Sequence, residues 1–318
     1  MPGGALGRLL DLGRQLCAVQ ETLHPIAAPA AVVVIAADHG VAVEGVSAYP
    51  QAVTGQMVQN FLTGSAAINV LARRQNARVL VVDMGVIAPP VASELISRPI
   101  APGTDNFLHG PAMSRAQAEQ AIAKGRRLVA ERLPDAKVVA LGEMGIGNTT
   151  SASALTAALT GQPAAAVTGR GTGVADAAYA RKVQVVERAL ALHRLPQTDT
   201  LGVLAAVGGF EIAGLVGAAL EAASRRMLVV LDGFISSVAG LIACRIEPNL
   251  RGYCVAAHRS VERGHQVVLE ALELQPLLDL GMRLGEGSGA ALALNLIASA
   301  ADVMREMATF DSAGVSNR

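Results

Sequence analysis

The sequence predicts an α/β fold built on a doubly wound, mostly parallel sheet. Short runs of valine, isoleucine, leucine and alanine recur along the 318 residues, each followed by glycine or polar residues and then by a longer stretch with helical spacing. That alternation is the βα signature of a parallel sheet. The runs are also apolar throughout, as strands covered on both faces must be.

The first strand is expected at Ala31 to Ala37 and ends in Asp38-His39-Gly40. Val53 to Arg73 follows as one helix, with Val53, Met57, Phe61, Ile68 and Leu71 near helical spacing. A second strand, Ala77 to Val82, ends in Asp83-Met84-Gly85. Ser114 to Arg132 reads as a helix opened by a capping box of Ser114 and Gln117, although Gly125 lowers its intrinsic propensity. Further strands are expected at Ala136 to Leu141, Leu201 to Val207, Met227 to Leu231 and Gly252 to Ala256. At or just beyond their ends stand Gly142-Glu143-Met144-Gly145, Gly208-Gly209-Phe210-Glu211, Asp232-Gly233-Phe234 and His258. A single acid-glycine pair is an ordinary turn. Six such ends in succession, at the edge where open α/β sheets bind ligands, point to a lined crevice.

Composition excludes several classes of function. Lys+Arg 26 balances Asp+Glu 26 and aromatic residues make up 3%, so there is neither the basic stripe nor the stacking rings of a nucleic-acid surface. A small-molecule partner fits better. The chain is 52% hydrophobic with a mean hydropathy of +0.41, yet glycine, aspartate or arginine interrupts each apolar run short of the roughly 20 residues that a bilayer requires. No membrane span is expected. The start Met1-Pro2-Gly3-Gly4 lacks the pattern of a signal peptide, so a cytoplasmic location is expected. Cys17, Cys244 and Cys254 are an odd number without a close pair and read as reduced core residues. His39, His258 and His265 fall on different elements without ligand spacing, so structural hydrogen bonding is expected of them and no metal. Asp83 and Asp232 either line the crevice or satisfy turn amides.

Two glycine-rich loops suit an anion. Gly145-Ile146-Gly147-Asn148-Thr149-Thr150-Ser151 leads from a strand into an alanine-rich helix, where backbone N–H groups and hydroxyls can receive a phosphate. Thr168-Gly169-Arg170-Gly171-Thr172-Gly173 supplies a second pliable backbone and a guanidinium, with Lys182 beyond it. Neither is a Walker A loop or a first-strand dinucleotide fingerprint, which argues against an oxidoreductase. Asn148 and Thr149 equally suit a helix cap, and Lys182 a solvated helix face. The densest signal is Arg283-Leu284-Gly285-Glu286-Gly287-Ser288-Gly289-Ala290, one carboxylate among glycines at the mouth of an apolar run. Glycine lets a ligand come close to a single ionisable group. A glutamate opening a helix, stabilised by the helix dipole, is the structural alternative.

In order along the chain stand A-D-H-G-V-A-V-E-G-V-S-A-Y-P-Q-A-V-T, G-E-M-G-I-G-N-T-T-S, G-R-G-T-G, L-D-G-F-I-S, H-R-S-V-E-R-G-H and P-L-L-D-L-G-M-R-L-G-E-G-S-G-A. This set closely resembles the nicotinate-nucleotide:dimethylbenzimidazole phosphoribosyltransferases over nearly the whole length. The resemblance implies a Rossmann-like large domain, 31–264, and a small helical domain drawn from both chain ends, 1–30 plus 265–318, which contributes Glu286. It implies a homodimer, no cofactor, and transfer of ribose 5-phosphate from nicotinate mononucleotide, a substrate, to a benzimidazole with inversion at C1′. By motif, Glu286 matches the catalytic base. Glu143, Gly145, Gly147, Asn148, Thr149, Arg170, Gly171, Thr172, Gly173 and Lys182 match the ribose and phosphate side. Ser47, Tyr49, Gln56, Met57 and Leu284 match the base pocket; Met57 at helical spacing equally suits a core. The likeness weakens at the start, where Ala5 and Leu10 replace the family's serine and glutamate. The same fold and donor would also serve a purine or phenolic acceptor, or a nucleotide-binding protein impaired in catalysis.

Overall fold

The structure is a computed structural model that describes residues 4–194, 196–310 and 312–316. Residues 1–3, 195, 311, 317 and 318, which fall within the expected domain spans, lie outside the described residues. Among the described residues six strands form one sheet: β1 (Ala30–Ala37), β2 (Arg78–Gly85), β3 (Ile96–Ser97), β4 (Val138–Met144), β5 (Leu228–Leu231) and β6 (Cys254–Ala256). All neighbours are parallel, in the order β3-β2-β1-β4-β5-β6. The chain builds outward from β1 through β2 to β3, then crosses to β4 on the other side of β1. Strand order therefore reverses between β1 and β4, the point at which loops diverge and open a crevice beyond the strand ends.

Among the described residues twelve α-helices accompany the sheet: α1 (Arg8–Gln20), α2 (Val53–Leu62), α3 (Ala67–Arg74), α4 (Arg115–Arg132), α5 (Asn148–Thr160), α6 (Ala164–Val167), α7 (Asp176–His193), α8 (Thr200–Val207), α9 (Phe210–Ser224), α10 (Phe234–Ile246), α11 (Arg263–Leu272) and α12 (Ser288–Glu306). Because strand side chains alternate, β1 feeds two cores. Val33 and Ile35 pack with buried residues of α4, α5, α8, α9 and α10, whereas Val32, Val34 and Ala36 pack with α1, α2, α3 and α12. Helices α1 and α12, from opposite chain ends, lie against each other, with Gly13 beside the Met304 side chain. None of the described helices is long and apolar enough to cross a membrane.

Two expectations need correction, and one strand is not foreseen. Leu201–Val207 is helix α8 rather than a strand. A short apolar run does not tell a buried helix from a buried strand; here Asp199 decides it, its carboxylate accepting the Gly202 N–H at 3.0 Å as an N-cap. The single helix over Val53 to Arg73 is two, because the chain turns at Gly64 with φ +78, and Asn69 accepts the Ala66 N–H at 3.3 Å to open α3. The edge strand β3, two residues long, has too little sequence to carry a periodic signal. Ser114 and Gln117 do form the capping box, each side chain bonding the other's backbone N–H.

The glycine that weakens α4 in isolation is what lets α4 meet α9. A Cβ at Gly125 would overlap the Gly214 carbonyl, and one at Gly217 would overlap the Ile122 carbonyl. The backbones thus cross in contact, and overpacking should outweigh the gain of about 1 kcal/mol in helix propensity that alanine brings. Gly125→Ala is expected to lower unfolding stability by about 2 kcal/mol in urea titration; a more stable variant would contradict this packing.

Candidate active site

A cavity of about 450 Å³ opens at the carboxyl edge of the sheet, where the strand order reverses. Glu143, Gly145, Asn148 and Thr149 line it from the end of β4 and the start of α5. Asp232, Gly233 and Phe234 face it from the end of β5, and His258, Ser260 and Glu262 from beyond β6. Arg283 to Glu286, approaching α12, close one side, and Tyr49, Val53 and Met57 another.

Glu286 does not open a helix. Gly285, Glu286 and Gly287 all have left-handed backbones, φ +82, +64 and +86, and α12 begins only at Ser288. A glutamate in that region carries backbone strain that flanking contacts must hold in place. Those contacts are specific: a Cβ at Gly142 of β4 would lie 2.5 Å from the Glu286 carbonyl oxygen, so only glycine lets the segment rest on the strand. Asp232 caps α12 in its place, accepting the Gly287 N–H at 3.2 Å and the Ala290 N–H at 2.8 Å. The helix dipole therefore acts on Asp232. Burial pushes the Glu286 carboxyl above its ordinary range, only partly offset by a long hydrogen bond from the Ile68 N–H, and the charge of Asp232 adds to the rise.

Glu143 is buried more deeply. Desolvation pushes its carboxyl up to about 8, and the negative charges of Glu211, Asp232 and Glu286 add to the rise. It accepts a hydrogen bond from Asn148 Nδ2, and the absence of a side chain at Gly285 leaves room for its other oxygen. Burial likewise raises Asp232 to about 6, against the opposing influences of His258, 3.9 Å away, and the amides it caps.

On the anion side, Lys182 is fully buried rather than solvated, and its Nζ donates to Thr149 Oγ1 at 2.7 Å. Desolvation lowers it to about 8 while Glu262 opposes. Glu262 accepts the Gly171 N–H at 2.8 Å, and Arg283 donates to the Gly171 carbonyl at 3.0 Å. Thr172 pins this loop to the base side, accepting the Ala48 N–H at 2.9 Å and lying 3.3 Å from Ser47 Oγ. Gly147, φ +98, precedes α5 and turns the loop into it.

The expected site residues divide accordingly. Glu286, Glu143, Gly145, Asn148, Thr149, Gly171, Thr172, Tyr49, Met57 and Leu284 meet at the cavity; Lys182 and Ser47 stand directly behind it. Tyr49, at 55% exposure, and Leu284, at 56%, form its open rim. Arg170 turns outward to Asp176, the Val174 carbonyl and the Tyr179 ring, because those partners stand on the solvent side of the loop. Gly173 and Gln56 are also exposed and off the cavity wall. Sequence reasoning misses Glu262 and Ser260, although they stand in a motif that carries the resemblance, and gives Arg283 no role although it opens the Glu286 segment; a lone acid such as Glu262 gives no signal of the loop it will face. Asp232 both lines the cavity and binds amides, whereas Asp83 serves turn amides, accepting from Gly85 and Val86. His39 and His265 are structural: His265 accepts the Ser260 N–H and meets Ser237, and burial lowers it to about 3.

A buried proton-bearing carboxyl, a second raised carboxylate and a cationic, glycine-lined cradle around one cavity define an α/β enzyme that handles a phosphorylated nucleotide-like substrate. The family described as phosphoribosyltransferase matches residues 1–315, and the chain belongs to it. It is 56% identical to the nicotinate-nucleotide--dimethylbenzimidazole phosphoribosyltransferase of Roseiflexus sp. (strain RS-1), covering 100% of this chain and 90% of that protein. It is 52% identical to the protein of that name from Azotobacter vinelandii, covering 99% and 91%. The crystal structure of CobT from Thermus thermophilus superposes with a TM-score of 0.96 at 48% identity, covering 100% of this chain and 96% of that one.

Glu143 also sets a stability signature. Its folded value of about 8 lies above the ordinary 4.5, so the folded state keeps a proton the unfolded chain loses, and stability falls as pH rises between these values. Glu143→Gln removes that loss. In denaturant titrations it should match the native protein near pH 4 and exceed it above pH 8 by a few kcal/mol, on the order expected for a shift of this size; a difference independent of pH would contradict a protonated Glu143.

Proposed function

We propose that the protein transfers ribose 5-phosphate from nicotinate mononucleotide to dimethylbenzimidazole, giving α-ribazole 5′-phosphate and nicotinate, the lower-ligand nucleotide step of cobalamin synthesis. The observation that carries the reading is Glu286, a raised carboxylate held in a strained backbone at the wall of a cavity shared with the anion cradle. The full-length likeness to enzymes of that name supports the substrates.

The chemistry follows from these groups. One nitrogen of the benzimidazole attacks C1′ while the other loses its proton to Glu286; a carboxylate with a raised pKa is the better acceptor. The bond from C1′ to the pyridinium nitrogen breaks with its electron pair going to nicotinate, which neutralises that nitrogen and needs no acid. Attack from the opposite face inverts β to α. Tyr49, Met57 and Leu284 supply apolar surface for a flat ring. Lys182, Thr149 and the Gly145 and Gly171 loops hold the phosphate. Glu143, neutral below about pH 8, donates a hydrogen bond to the sugar phosphate without repelling it. The two-domain division, action in the cytoplasm and assembly as a homodimer belong to the same proposal. Exposed Val43, Ile87 and Val91 supply surface that a partner copy would cover.

Protein mixed with nicotinate mononucleotide and dimethylbenzimidazole should yield α-ribazole phosphate by mass, and Glu286→Gln should slow it by on the order of 10²-fold or more. Absence of product with any of a panel of benzimidazoles, purines and phenols sinks the proposal; an unchanged rate removes Glu286 from it. As pH rises through about 8, Glu143 gains a negative charge and Lys182 loses its positive one, both against the phosphate. kcat/KM for the mononucleotide should therefore decline there, and a rise across that range would contradict the assignment.

A further inference from the structure

Behind the cavity lies a buried polar cluster that the mechanism does not use. His39, at the end of β1, meets Glu211 Oε1 through Nε2 at 2.7 Å and Ser151 Oγ through Nδ1 at 2.9 Å. All three residues are fully buried. The cluster joins the first turns of α5 and α9 to β1, and the His39 carbonyl also accepts Gln51 Nε2 at 3.2 Å from the segment before α2. Two glycines fit around it. A Cβ at Gly209 would overlap His39, and one at Gly145 would stand 3.2 Å from His39 Nε2, the nitrogen that Glu211 holds. Gly145, two residues after Glu143, is thus seated on the Ala37 carbonyl of β1, 2.5 Å from where a Cβ would stand, and against the imidazole, and Ile35 of β1 pairs with Glu143 in the sheet.

We infer that Glu211, acting through His39, is a positioning residue of the transfer reaction: the buried pair fixes the imidazole against which the Gly145 turn of the cavity wall packs, two residues from Glu143. A buried hydrogen-bonded pair costs desolvation that hydrophobic packing would avoid. One oxygen of Glu211, Oε2, is left buried without a hydrogen-bond partner, a further cost that packing alone does not require. Asp38 is the other acid near Glu211, and its Oδ2 is occupied by the Ile87 N–H. Around Glu143 stand Glu211 from α9, Asp232 from the end of β5 and Glu286 before α12, with Asn148 as the neutral donor. Of these acids, Asp232 is engaged in capping and Glu286 in the proton transfer proposed above. The inference rests on the reading of Glu143 as the neutral donor beside the sugar phosphate.

The test follows Glu143 directly, by the infrared carbonyl band of its neutral carboxyl, assigned as the band missing in Glu143→Gln, titrated in the full-length protein without substrate. Glu211→Gln retains a hydrogen-bond acceptor for His39 but removes the charge. Its Glu143 midpoint should fall by roughly half to one pH unit, the size of one partly screened charge interaction, and the alkaline limb of kcat/KM should move down with it. Should Glu211→Gln not fold, Glu211→Asp withdraws the charge by one methylene and should move the midpoint the same way by less. A folded variant with the native midpoint and the native KM overturns the inference. Because the titration needs no turnover, a protein that fails to transfer ribose phosphate would refute the function and leave this outcome readable.

Discussion

The site depends on one interaction more than any other, the capping of α12 by Asp232. A helix N-terminus offers unpaired N–H groups that demand an acceptor. Here the acceptor comes from the end of β5, far earlier in the chain, and ties the C-terminal helix to the sheet edge. With the cap supplied from elsewhere, Glu286 is released from the role a glutamate usually takes at a helix start. The segment Gly285 to Gly287 can then run through three left-handed residues across β4, holding the carboxyl at the cavity wall. Were Glu286 itself the cap, the dipole would lower its pKa and weaken it as a base.

That arrangement gathers acids where burial makes them costly. Glu143, Asp232 and Glu286 line one cavity and Glu211 stands behind it. Charges this close, out of water, raise one another's pKa, and the cost is met differently at each. Asp232 has amides and His258; Glu286 has a single long hydrogen bond; Glu143 keeps its proton up to about pH 8. Three carboxyls of similar chemistry thereby take three environments in one site, and the proposed roles of base for Glu286 and neutral donor for Glu143 draw on that difference. Lys182 and the glycine-rich loops form a different set, proposed to take the phosphate, with Glu262 holding the Gly171 turn.

Much of this is legible in the sequence, for identifiable reasons. Buried parallel strands write themselves as apolar runs, and a carboxylate among glycines is rare enough to notice, so β1, β2, β4, β5 and the Glu286 segment can be read directly. The failures have the same physical root. Leu201 to Val207 is apolar because α8 is buried throughout Val203 to Val207, and helical period vanishes where no face is wet. Arg170 stands in a glycine loop suited to an anion, but Asp176 and the Tyr179 ring claim it on the outer side. Lys182 beside Arg181 suits a solvated face, yet it is buried by α5 and the Gly171 loop, a tertiary fact that no local window contains. The pairings of Asp232 with α12 and of His39 with Glu211 join residues 55 and 172 positions apart and are invisible without the fold.

In the proposed mechanism Glu286 holds the acceptor by its N–H and takes that proton. Nitrogen-15 NMR of labelled dimethylbenzimidazole bound to the protein reads this contact without turnover. The ring N–H proton should lie far downfield in the native complex and return toward its free position in Glu286→Gln. A bound base whose nitrogen and proton resonances are the same in both proteins would contradict it.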